Sequence, residues 1–162
     1  MLRTSIAAAA LVAGTAAQAE LQADYVTYTV GDRDYEGYAA TNTAVEPRGT
    51  VLIVHDWDGM TAYEERRADM LAALGYTAFA IDVYGAEEDP QSVDEYRALS
   101  GALYGDRDAF RERLMGSIMA AADIPGATES MVIMGYCFGG AAVLEAARAG
   151  ADLDGFVSFH GG

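Results

Sequence analysis

The sequence predicts an α/β fold on a mostly parallel sheet with helices on both faces. Three observations predict it. Runs such as Thr50-Val51-Leu52-Ile53-Val54 are continuously apolar and β-branched, the composition of strands covered on both sides. Segments of helical period alternate with those runs, which is the arrangement of βαβ units. With 162 residues, 52% hydrophobic and 22% charged, the chain can bury one core and is too short for two ordinary domains.

Taken in order, residues 1–19 read as an export signal. Arg3 gives a positive start, an apolar run covers 6–13, and Ala17-Gln18-Ala19 is a small-residue cleavage pattern. Cleavage after Ala19 predicts a periplasmic or secreted protein and leaves one domain over 20–162 with no membrane segment. The rival reading, an N-terminal membrane anchor, needs a longer and less alanine-rich run. Residues 23–30 and 35–40 are rich in Tyr, Thr and Val and flank Gly31-Asp32-Arg33-Asp34, so an antiparallel hairpin is expected first. The strand over 50–54 follows and ends at His55-Asp56-Trp57-Asp58-Gly59.

Thr61 with Glu64 three residues on forms a capping box, opening a helix with Tyr63, Met70, Leu71 and Leu74 expected on its buried face. Gly75 closes it, and residues 76–81 form the next strand. Ser92 with Glu95 starts a second helix, on which Val93, Tyr96, Leu99 and Leu103 share a side. A third carries Phe110, Leu114, Ile118 and Ala122 until Pro125-Gly126 breaks it. Residues 131–134 form another strand, 141–148 an alanine-rich helix, and 155–159 a last strand.

Ten basic residues oppose 25 acidic ones, for a net charge of −15, and every basic residue is an arginine. A phosphate-cradling Walker loop and a Schiff-base mechanism both need a lysine, so composition excludes them. A surface this acidic repels phosphates, which argues against nucleic acid as a partner. The single cysteine, Cys137, has no partner for a disulfide within the chain. It is either a small packed hydrophobe or a thiol kept for chemistry.

Its surroundings favour chemistry. Gly135-Tyr136-Cys137-Phe138-Gly139-Gly140 lies between a buried strand and a helix start and has the form Gly-x-nucleophile-x-Gly. At such an elbow the turn leaves no room for bulk, so glycines flank the nucleophile, while the helix N-terminus favours a thiolate and offers free N–H groups to an oxyanion. The glycine spacing does not match a dinucleotide-binding loop. His55, Asp56 and Asp58 could be read as metal ligands. That reading is disfavoured because neighbouring residues after a strand diverge and no second histidine follows at helical spacing. No metal and no cofactor are expected.

The sequence resembles the dienelactone hydrolase family. Three stretches carry the likeness: His55-Asp56-Trp57-Asp58-Gly59, Gly75-Tyr76-Thr77-Ala78-Phe79-Ala80-Ile81-Asp82-Val83-Tyr84-Gly85, and the cysteine elbow. The resemblance implies an α/β-hydrolase fold and a carboxylic-ester or lactone hydrolase with Cys137 as nucleophile. It implies backbone N–H groups of Phe138 and Trp57 as the oxyanion hole, and Asp56 at an acidic position that helps activate the thiol. His55, Tyr84 and His160 are the candidate pocket residues, with His160 read as pocket wall rather than as general base. A carboxylate-bearing lactone would call for an arginine, and Arg97, Arg107 and Arg111 are the candidates.

In this fold the order is nucleophile, then Asp, then His. Only 25 residues follow Cys137, so the last strand-helix units, with both partners, are expected to be missing. Residues 155–159 would then form an uncovered edge that predicts self-association. The alternative function is a non-catalytic small-molecule-binding or interaction module derived from a hydrolase.

Overall fold

Continuous apolar runs become the centre of the sheet, and alternating ones its flank. The structure, a computed structural model, describes residues 20–162; the expected export signal lies outside the described residues. Strands β1 (Leu21–Val30) and β2 (Arg33–Asn42) form the opening hairpin, followed by β3 (Thr50–Val54), α1 (Ala62–Ala73) and β4 (Thr77–Ile81). Then come α2 (Val93–Gly105), α3 (Arg107–Ala120), a 3-10 turn, β5 (Met131–Tyr136), α4 (Phe138–Arg148) and β6 (Gly155–Phe159). The sheet order is β1-β2-β4-β3-β5-β6. The hairpin and the β2–β4 pair are antiparallel, while β4, β3, β5 and β6 run parallel. Every residue of β3 and β4 is buried, as strands covered on both faces must be.

The chain steps from β3 to β4 on one side and then back across to β5 on the other. Right-handed crossovers in opposite directions place their helices on opposite faces. One core cluster, under α1, joins Ala40, Ile53, Ala68, Ala72, Ala78 and Ala80. The other joins Leu52, Phe79, Phe110, Leu114, Ile133, Phe138 and Val143 under α3 and α4. The loops after β3 and β5 therefore diverge and leave a crevice at the carboxyl ends of these strands, where open α/β sheets bind ligands.

The helix faces correct the sequence expectations. On α1 the buried side is Glu64, Ala68 and Ala72, while Tyr63, Met70 and Leu74 are exposed. The sheet beneath presents alanines, so a small-residue stripe gives the closer fit, and the long side chains turn outward. On α2, Ser100 and Leu103 are buried and Val93 is exposed; past the end of α3, Ala121 in the 3-10 turn is buried and the expected Ala122 is exposed. β6 forms one edge of the sheet, with Phe156, Val157 and Phe159 exposed. No helix among the described residues is long and apolar enough to cross a membrane.

One buried carboxylate ties the α4 helix to α3. Glu145 is buried and takes Arg107 and Arg111 at 3.1 Å and Arg148 at 2.7 Å. Burial alone would push its pKa up, but the three arginines outweigh burial and hold it below the ordinary glutamate range. A lowered folded-state value means stability that is present above the unfolded value and lost as pH falls through the folded one. Glu145→Gln is therefore expected to cost about 1–2 kcal/mol at neutral pH, since the arginines are partly solvated. Thermal melts should show that deficit vanish in strong acid, where the wild-type carboxyl is also neutral.

Candidate active site

A residue that must leave a strand and enter a helix within one step is forced into an unusual backbone conformation. Cys137 does this between β5 and α4 with φ 53° and ψ −115°. A non-glycine residue held there carries strain of order 1–3 kcal/mol, the kind that clusters at active sites. Its N–H donates to Phe159 O at 3.0 Å, and its carbonyl accepts from Ala141 N–H at 3.1 Å. The thiol is exposed, not packed.

The flanking glycines are there for closeness. A Cβ on Gly139 would meet Val54 O and come within 2.6 Å of His55 O, and one on Gly135 would meet the Gly139 backbone, its Cα at 2.9 Å. The elbow thus sits directly on the end of β3, which brings the 55–59 loop beside the thiol.

In front of Cys137 lies a cavity of about 250 Å³ lined by Trp57, Ser100, Tyr104, Phe138, His160 and Gly162. Phe138 is the first residue of α4, so its N–H has no partner within the helix. Among the described residues no protein acceptor takes the Phe138 or Trp57 N–H. His160, with φ 42°, stands on the rim and also lines a neighbouring cavity of about 350 Å³. Asp56, Asp58, Thr61, Tyr63, Glu64 and Tyr136 complete that second wall.

The expected site residues fall into two groups. Cys137, Trp57, Phe138 and His160 are brought together around one cavity. Asp56 opens onto the neighbouring one. Its carboxylate accepts from Asp58 N–H at 3.4 Å, and no hydrogen bond joins it to Cys137. Burial and the adjacent Asp56 charge raise the pKa of Asp58.

His55 and Tyr84, expected in the pocket, stand one layer behind it. His55 is fully buried. Its Nδ1 lies 2.6 Å from Asp56 O, and its Nε2 accepts from Val83 N–H at 3.2 Å. The second bond leaves the proton on Nδ1, and the two bonds together engage both ring nitrogens, so His55 has none to offer a metal. Tyr84 is buried and donates its hydroxyl to Trp57 O at 2.8 Å. Burial pushes its phenol pKa up, which keeps it a donor.

The arginine expectation is corrected as well. Arg97 pairs with Asp94 on an exposed face, and Arg107 and Arg111 are committed to Glu145. None of them lines the thiol cavity.

Sequence reasoning missed Ser100 and Tyr104. Both follow Tyr96 at intervals of four on α2, and that polar-aromatic stripe was the available signal. Tyr96 packs on Trp57 with ring centres 5.6 Å apart, and Tyr104 meets Phe138 edge-on at 5.5 Å. Burial, and then the nearby charge of Cys137, raise the pKa of Tyr104.

Residues 35–162 match the Dienelactone hydrolase family over most of the chain. The chain belongs to that family. A solved dienelactone hydrolase-like promiscuous phosphotriesterase from metagenomic libraries is 33% identical, with a TM-score of 0.82, covering 90% of this chain and 61% of its own. A structure designated m3DLH is 28% identical at the same TM-score, with 88% and 60% covered. A dienelactone hydrolase from Anabaena variabilis shares the fold at 22% identity and a TM-score of 0.64, with 83% and 61% covered. The chain thus spans about three fifths of the length of these solved relatives. Among curated proteins no match is found.

Proposed function

We propose that this dienelactone hydrolase-family chain is an ester hydrolase with Cys137 as the nucleophile and uncharged esters as the substrate class. One observation carries the reading: an exposed thiol on a strained elbow lines a cavity together with Trp57 and Phe138, whose backbone N–H groups no protein acceptor takes among the described residues. Sulfur attacks the ester carbonyl carbon and forms the C–S bond. The Phe138 and Trp57 N–H groups hold the developing oxyanion, and the C–O bond then breaks. The alcohol leaves with the proton lost by the thiol, and water later releases the acid.

The substrate class follows from the walls. The thiol cavity is lined by aromatic and hydroxyl side chains, and the adjoining one by Asp56, Asp58 and Glu64. A carboxylate-bearing substrate would meet repulsion there, because the arginines over these walls, Arg107 on the Tyr104 ring and Arg67 on Tyr63 and Tyr136, do not themselves line the cavities, whereas a neutral ester meets no such cost. The relative described as a phosphotriesterase fits the same preference, since phosphotriesters are uncharged.

The test compares p-nitrophenyl acetate with p-nitrophenyl hemisuccinate, which adds one carboxylate to the acyl group. The first is expected to acylate Cys137 at least tenfold faster, a difference of about 1.4 kcal/mol. Equal rates would remove the charge argument. A thiol inert to both reagents, and to iodoacetamide, would favour the non-catalytic binding module.

A further inference from the structure

A peptide group is a rigid plane, so fixing its carbonyl fixes the direction of the N–H on its other side. The peptide joining Asp56 to Trp57 carries one of the two proposed oxyanion donors, and no peptide in the described chain is cis. Its carbonyl is held from behind by two donors, His55 Nδ1 at 2.6 Å and Gly59 N–H at 3.3 Å. The next carbonyl, Trp57 O, is held by the Tyr84 hydroxyl at 2.8 Å. With the Asp56 carbonyl held from behind, the trans Trp57 N–H points the opposite way, and Trp57 lines the thiol cavity.

We infer that His55 and Tyr84 are positioning residues that aim the Trp57 N–H at the oxyanion, their hydrogen bonds to the Asp56 and Trp57 carbonyls setting the loop. This rests on the ester-hydrolase reading of Cys137.

Both residues are themselves immobilised. His55 Nε2 is engaged by Val83 N–H at 3.2 Å. Tyr84 N–H donates to Asp82 Oδ1 at 2.7 Å, while its carbonyl accepts from Arg33 at 2.6 Å and Arg113 at 2.9 Å. The two rings meet edge-on at 4.5 Å, and both pack on Phe138, at 5.8 and 5.5 Å. Phe138 carries the other proposed donor. One buried aromatic cluster thus holds the loop and the elbow in register, and a preorganised donor pair costs no reorganisation during the reaction.

The experiment separates aiming from folding by using two reactions of the same sulfur. Acylation by p-nitrophenyl acetate passes through an oxyanion; alkylation by iodoacetamide displaces iodide and does not need the hole. Tyr84→Phe keeps the ring and removes only the hydroxyl, so acylation should fall about tenfold while alkylation stays within about twofold. His55→Phe, which removes both ring hydrogen bonds, should cut acylation about a hundredfold, again sparing alkylation wherever melts show a folded protein. Parallel loss of both reactions, or no loss of acylation in Tyr84→Phe, overturns the inference while leaving Cys137 as nucleophile. A wild-type thiol that alkylates but takes no acetyl group overturns the ester-hydrolase reading itself, and the inference with it.

Discussion

Cys137→Ala is expected to abolish the release of p-nitrophenol when the chain meets p-nitrophenyl acetate. The carbonyl then has no sulfur to receive it, and the oxyanion donors alone leave only weak acceleration of attack by water. Cys137→Ser separates geometry from nucleophile strength. The hydroxyl keeps the position on the elbow, but it is far less ionised than a thiol near neutral pH, so acylation should fall by several orders of magnitude. Neither change should lower stability much, because the thiol is exposed and fills no core space. A Cys137→Ala chain that releases p-nitrophenol at the wild-type rate would move the nucleophile elsewhere.

Gly139→Ala is expected to be strongly destabilising. The added methyl group would press on Val54 O and His55 O, the backbone at the end of a fully buried central strand. Neither atom can step aside without moving β3 or α4. Overpacking of this kind costs about 3 kcal/mol, and on a chain this size that lowers the melting temperature by roughly 10 °C. It should also remove acylation, since any shift of α4 carries Cys137 and Phe138 away from Trp57. Gly101→Ala is the matched control. It lies on the exposed side of α2 with nothing within 4 Å of the new Cβ, so better helix propensity should leave it equal or slightly more stable. A Gly139→Ala protein as stable as Gly101→Ala would contradict the tight strand-to-elbow contact.

How far the sequence could be read depended on whether the deciding interaction was local. The strands over 50–54 and 155–159 have the bounds that their composition predicts, because β-branched runs and their bounding residues act within a few positions. The elbow was legible for the same reason, since Gly135, Cys137 and Gly139 express one tight turn. Helix faces were less so. Periodicity ranked Met70 and Leu74 above Ala68 and Ala72, but the alanines of β2 and β4 under α1 reversed that order, and nothing near α1 in sequence announces them.

The site divides along the same line. Trp57, Phe138, Cys137 and His160 sit at strand ends that the sheet order gathers. His55 and Tyr84 do not line the thiol cavity, and Tyr84 lines a different one beside Asp58 and Tyr96. Which way a side chain turns at a strand end depends on backbone partners such as Val83 N–H and Trp57 O. Ser100 and Tyr104 share a stripe on α2 that the sequence displays, but that this stripe lines the thiol cavity depends on how α2 packs, a long-range contact.

The most direct measurement is the intact mass and peptide map of the wild-type chain after brief exposure to p-nitrophenyl acetate near neutral pH. A single acetyl group on the peptide containing Cys137, removable by hydroxylamine as a thioester is, is the predicted result. Acetylation confined to hydroxyl or amino groups elsewhere, with Cys137 recovered as a free thiol, would contradict the account.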